Sequence, residues 1–160
     1  MPRPFPLVAL ALAAACASGS SSSSTTASAT PSPAGSPAGA RRQYMATLAA
    51  TGANSSRMSG TVTIVSLDAN TYTVSMDIRF GPKSAQVPWA IRPGPCGDMT
   101  PNSEIGGRGP YSAISTQADG SAHVNTRLRL EIPDGALHLD VMQSNSQRDV
   151  ILSCGALAQR

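Results

Sequence analysis

Val87-Pro88-Trp89-Ala90-Ile91-Arg92-Pro93-Gly94-Pro95-Cys96-Gly97 joins a strand to a tight turn and ends beside one cysteine of a pair. Val87, Trp89 and Ile91 alternate with Pro88, Ala90 and Arg92, the period of two expected of a strand with one face on a core. Pro93, Gly94 and Pro95 then stop it, because proline has no amide for the ladder and glycine accepts backbone angles that other residues avoid. The second cysteine stands in Val150-Ile151-Leu152-Ser153-Cys154-Gly155. In an exported protein the default expectation is that Cys96 and Cys154 pair. Closing so long a loop stabilises a fold by roughly 4 kcal/mol in the chain-entropy picture. A redox-active pair is the alternative, and the absence of a C-x-x-C arrangement weighs against it.

Outward from this stretch, short runs rich in Val, Ile, Leu, Thr and Tyr are separated by turn residues. The expected strands are Tyr44 to Thr51, Met58 to Leu67, Tyr72 to Phe80, Gln86 to Arg92, Tyr111 to Gln117, Ala122 to Ile132, Leu137 to Gln143 and Asp149 to Cys154. Asp68-Ala69-Asn70, Asp119-Gly120 and Pro133-Asp134-Gly135 supply the turns between them. Alternation is clearest where Val124, Thr126, Leu128, Leu130 and Ile132 interleave with Asn125, Arg127, Arg129 and Glu131, one face to core and one to solvent. Eight such strands imply an all-β antiparallel sandwich or flattened barrel, with at most short helical turns in the Cys96 to Tyr111 loop.

Composition agrees with this class. Of 160 residues only 13% are charged and 4% aromatic, whereas Gly and Pro number 14 and 13, which favours strands and turns over long helices. The net charge of +3 comes mostly from arginines spread singly or in pairs. No basic block tracks phosphates, so nucleic-acid binding is disfavoured. No G-x-S-x-G, H-E-x-x-H, P-loop or paired-carboxylate pattern supports an enzymatic claim, and the Asp-Gly pairs form no calcium loop.

The N-terminus reads as an address and a tether. Residues 1–15 carry Arg3 and then an apolar run from Leu7 to Ala15, too short to span a bilayer but suited to a signal peptide. Leu12-Ala13-Ala14-Ala15-Cys16 resembles the bacterial lipobox, in which Cys16 becomes the lipidated first residue of the mature protein. The departure is that Leu12 lies four residues before the cysteine, with Ala13 in the place leucine usually takes. Ordinary signal cleavage, leaving Cys16 as an odd thiol, is the alternative. Ala17 is not the aspartate associated with inner-membrane retention. The rest of 16–40 is Ser, Thr, Ala, Pro and Gly without charge or aromatic, a linker with a span of roughly 25–30 Å, or an O-glycosylated stalk. Residues 41–160 remain as the domain, which lipidation of Cys16 is expected to anchor to a bacterial membrane in the cell envelope.

Ser59-Gly60-Thr61-Val62, the Pro88-to-Gly97 segment, Ala118-Asp119-Gly120-Ser121-Ala122 and Cys154-Gly155-Ala156-Leu157 together span nearly all of the domain. In these four segments it resembles the copper/zinc superoxide dismutase superfamily, in particular small bacterial lipoproteins related to it. The resemblance implies an eight-stranded Greek-key β-barrel with the Cys96–Cys154 disulfide anchoring a long loop to its wall. Relatives that keep copper read roughly P-W-H-x-H-x-G-x-C, two imidazoles projecting from one strand face. Here those positions are Ala90, with no donor atom, and Arg92, a permanent cation. A further ligand position aligns with Met142. The loop from Gly97 to Pro110 has no histidine to bridge to or hold zinc, and Ile151 replaces the anion-guiding arginine. With only His123 and His138 in the chain, dismutation is expected to be lost and no cofactor is expected.

With Val87, Trp89 and Ile91 facing in, Ala90 and Arg92 are expected to face outward, and so are His138, Asp140 and Met142 on the penultimate strand. His138 and Met142 together suit Cu(I), but three ligands at every second residue of one strand diverge, so a solvated face is the expectation. Arg92 is expected to pair with Asp140 at the surface, where a pair is worth little. His123 is read as exposed with Asn125 and Arg127, and Trp89 as a core anchor rather than a ligand platform. Two functions follow. One is a noncatalytic binding or structural module serving an unknown envelope ligand or protein; the other is a residual copper protein using His138, Met142 or a partner subunit. The resemblance also makes a homodimer possible.

Overall fold

The computed structural model describes residues 41–98, 100 and 103–160. The expected signal peptide, Cys16 and the expected linker lie outside the described residues. The domain is all-β, a curled antiparallel half-barrel with, among the described residues, a single short 3-10 turn at Ala53–Ser55. No helix among the described residues is long and apolar enough to cross a membrane.

Nine strands are described rather than eight: β1 (Gln43–Ala50), β2 (Ser59–Ser66), β3 (Thr71–Arg79), β4 (Gln86–Val87), β5 (Trp89–Pro93), β6 (Ile114–Ser115), β7 (Ala122–Arg129), β8 (Leu137–Ser144) and β9 (Gln147–Gln159). Seven form one sheet in the order β5-β8-β9-β1-β2-β3-β7, and β4 pairs with β6. The strand expected over Gln86 to Arg92 is broken at Pro88, which has no amide to donate, while its carbonyl accepts from the Met142 amide at 2.8 Å. The strand expected over Tyr111 to Gln117 shrinks to two residues, since its first part serves the loop described below. By contrast β9 runs to 13 residues, paired first with β8 and then with β1.

The turns follow their residues. The Asn70 amide donates to Asp68 Oδ1 at 2.9 Å, closing the β2–β3 hairpin, and the Ser121 amide donates to Asp119 Oδ1 at 2.9 Å before β7. Gly120 has φ +81°, and its carbonyl accepts from the Gly81 amide at 2.9 Å; a Cβ there would overlap the Gly81 carbonyl.

Alternation places Leu48, Ile64, Val74, Met76, Ile91, Leu128, Leu139 and Val141 in one core, each at most 1% exposed. Burial of each such side chain contributes roughly 1.5–3 kcal/mol before entropy is charged against it. On β7, Leu128 is buried while His123, Asn125, Arg127 and Arg129 are exposed, as the alternation predicts. Trp89 is fully buried, donates Nε1–H to the Ser112 carbonyl at 2.7 Å and meets Tyr111 edge-on at 4.9 Å. It is a core anchor.

Candidate functional site

Two adjoining strands, β5 and β8, carry the site. Their register sets Ala90 opposite Asp140 and Arg92 opposite His138, so the four residues share the face turned away from the Trp89 core. The expected parity holds. The expected exposure does not: Ala90, His138 and Met142 are 0% exposed, Asp140 1% and Arg92 4%.

The covering comes from the chain after Cys96. The disulfide Cys96–Cys154, with Cα atoms 5.9 Å apart, ties this segment to β9. The Ile105 amide then donates to the Ile91 carbonyl at 2.9 Å, and the Tyr111 hydroxyl donates to the Ile105 carbonyl at 2.7 Å. Burial raises the Tyr111 phenol well above its ordinary pKa, which keeps it a neutral donor. Tyr111 also packs on a small apolar cluster of Ala90, Met142, Ile151 and Cys154. A polar, glycine-rich loop gives no hydrophobic period to read, so sequence alone leaves this face looking solvated.

The loop also delivers Glu104, which is 8% exposed. Its Oε1 lies 3.4 Å from Arg92 Nη2 and 3.2 Å from Arg148 Nε on β9. On the other side, Arg92 Nε lies 3.7 Å from Asp140 Oδ2, an ionic contact too long for a hydrogen bond. The Arg92–Asp140 pair expected from sequence is therefore present, but it is buried instead of surface-exposed. Arg92 Nη2 also sits 3.8 Å from Met142 Sδ. Glu104 and Arg148 are absent from the sequence reading. The signal that points to them is that an arginine on a covered face needs more than one carboxylate, and the loop supplies few.

His138 completes the cluster. Its Nδ1 lies 2.9 Å from the Gly94 carbonyl, which can only accept, so Nδ1 carries the hydrogen. Gly94 has φ +90°, and a Cβ on it would meet Asp98 Oδ2 at 2.8 Å. The Nε2 atom points toward Asp140 Oδ2 at 3.4 Å without hydrogen-bond geometry, and Nε2 and Asp140 Oδ1 are both buried without a hydrogen-bond partner. Burial pushes the Asp140 carboxyl above the usual carboxylate range, with His138 and Arg92 pulling it back. Asp98, at the loop edge, is held below that range by hydrogen bonds from the Thr100 side chain and amide. His123 is away from this cluster, exposed and 2.7 Å from Asp77 on β3.

The copper centre that the dismutase resemblance implies does not fit these residues. Ala90 offers a methyl group, Met142 a thioether beside a guanidinium, and the space between the strands is filled by a permanent cation engaged with two acids. Comparison with protein-family models and with curated proteins finds no match for this chain.

Proposed function

We propose that this chain is an exported, lipid-anchored protein with a superoxide-dismutase-like Greek-key barrel, and that it works as a noncatalytic binding or structural module of the cell envelope. One observation carries the reading: the guanidinium of Arg92 is held between Glu104 and Asp140 at the position where the resemblance puts a metal ligand. A redox ion needs lone pairs there, and a guanidinium has none to give. Strand order supports the Greek key. The chain leaves β3 at one side of the sheet for β5 at the other, returns to β7 beside β3, and crosses again to β8 beside β5. The fold by itself fixes no activity, so the binding role belongs to surfaces other than the filled site.

Two measurements test this. The disulfide-intact protein, incubated with Cu²⁺ and Zn²⁺ and desalted, is expected to retain well under one equivalent of either and to consume superoxide no faster than buffer; stoichiometric copper with turnover would overturn the noncatalytic assignment. For the anchor, the chain made in a bacterium with lipoprotein processing is expected to partition into detergent. Cys16→Ser is expected to move it to the aqueous phase, and unchanged partitioning would remove the lipid from the account.

A further inference from the structure

We infer that the Cys96–Cys154 disulfide masks a second, different cation site, made of His138, Asp140 and Cys154, which takes a zinc-class divalent ion when the disulfide is reduced. The inference stands independently of the lipid anchor and of the dismutase resemblance, since it uses none of the positions aligned with copper ligands.

The three donors come from two strands. His138 and Asp140 lie two apart on β8, and Cys154 on β9 is directly opposite Asp140. Cross-strand placement lets the side chains converge, where His138, Asp140 and Met142 along one strand would diverge. One ligand atom from each of the three lies within 4.8 Å of the others, and all three residues are buried. Tetrahedral coordination at ordinary Zn–N, Zn–O and Zn–S lengths needs separations of roughly 3.3–3.8 Å. His138 Nε2 and Asp140 Oδ2 already stand 3.4 Å apart, and rotation of a freed Cys154 side chain would close the remainder. Nε2 is the atom free to ligate, because the bond from Nδ1 to the Gly94 carbonyl fixes the tautomer, as second-shell partners of zinc histidines do. Nε2 and Asp140 Oδ1 are also among the buried side-chain atoms that the oxidised fold leaves without hydrogen bonds.

Reduction would open the site by ordinary exchange. A dithiol reductant attacks the sulfur of Cys96, the exposed residue of the pair, the S–S bond breaks, and the Cys154 thiolate leaves into the buried face while Cys96 carries the mixed disulfide. The second thiol of the reductant then attacks that mixed disulfide and releases the Cys96 thiolate, which takes up a proton. The reductant ends as its own disulfide, two electrons having passed to the protein. A neutral imidazole, one carboxylate and one thiolate match the charge of a divalent ion, and Arg92 keeps Glu104 as its counter-charge. The fourth position would fall to water.

Cobalt(II) titration of the full chain, carrying Cys16→Ser to remove the remaining thiol, tests this. Cys96→Ser frees Cys154 without added reductant, and it is expected to bind one equivalent with thiolate-to-cobalt absorption in the near ultraviolet that Zn²⁺ abolishes. The disulfide-intact protein is expected to show none, and treatment with a phosphine reductant to restore it. Adding His138→Ala to Cys96→Ser should weaken binding by at least about 100-fold. Absorption that survives His138→Ala, or its absence in a Cys96→Ser protein with native Trp89 emission, would overturn the site. Loss of native Trp89 emission in both reduced forms, unrecovered on adding cobalt, would do so too.

Discussion

Arg92→Ala should lower the unfolding free energy by roughly 3–5 kcal/mol, the range seen when one partner of a buried ion pair is removed. The size comes from what stays behind. Glu104 and Asp140 would remain folded under the loop without the guanidinium that lies 3.4 Å and 3.7 Å from them. Arg148 still reaches Glu104 at 3.2 Å, so the heavier penalty falls on Asp140, which is left beside the His138 ring at 3.4 Å. Removing an exposed arginine, Arg127→Ala on β7, is the control and should change stability by no more than about 0.5 kcal/mol. Denaturant melts followed through Trp89 would read both. An Arg92→Ala cost as small as that of the control would mean that the cluster is open to water.

Cys96→Ala/Cys154→Ala should cost about 4 kcal/mol, from the closure entropy of the 58-residue separation that the disulfide spans. The same change should reach the ion cluster. The loop that carries Glu104 hangs from the disulfide at one end and from the Ile105 amide on the Ile91 carbonyl further along. With the first tie gone, Glu104 and Asp140 gain water, and the cost of Arg92→Ala in that background should fall by about 1 kcal/mol or more, as coupled neighbours do. An unchanged Arg92→Ala cost with and without the disulfide would show that the loop's seat does not depend on it.

The strands were legible because period two and the turn residues act locally. Leu128 and Leu130 against Arg127 and Arg129 needed no knowledge of the partner strand to be assigned to opposite faces, and Asp119-Gly120 formed the turn its side-chain chemistry dictates. The pairing of Arg92 with Asp140 was also legible, because both sit on strands whose parity is fixed. What stands over them was not. Burial of that face depends on Glu104, Ile105 and Tyr111, three residues of a loop rich in Gly and Pro that is held by the Ile105 amide on the Ile91 carbonyl, the Tyr111 hydroxyl on the Ile105 carbonyl, and a cysteine. No periodic signal encodes such a contact, so a covered ionic core read as a wet strand face. The shortening of the strand around Ile114 has the same cause, since Tyr111 and Ser112 are committed to Ile105 and Trp89.

The most direct test of the filled site is a double-mutant cycle on Arg92→Ala and Asp140→Ala in the disulfide-intact protein. The structure predicts a coupling of roughly 1–3 kcal/mol, the double variant being less damaged than the two single losses together imply. Additivity to within about 0.5 kcal/mol would contradict it, because side chains that lose nothing by being separated do not form the buried ionic core of this half-barrel.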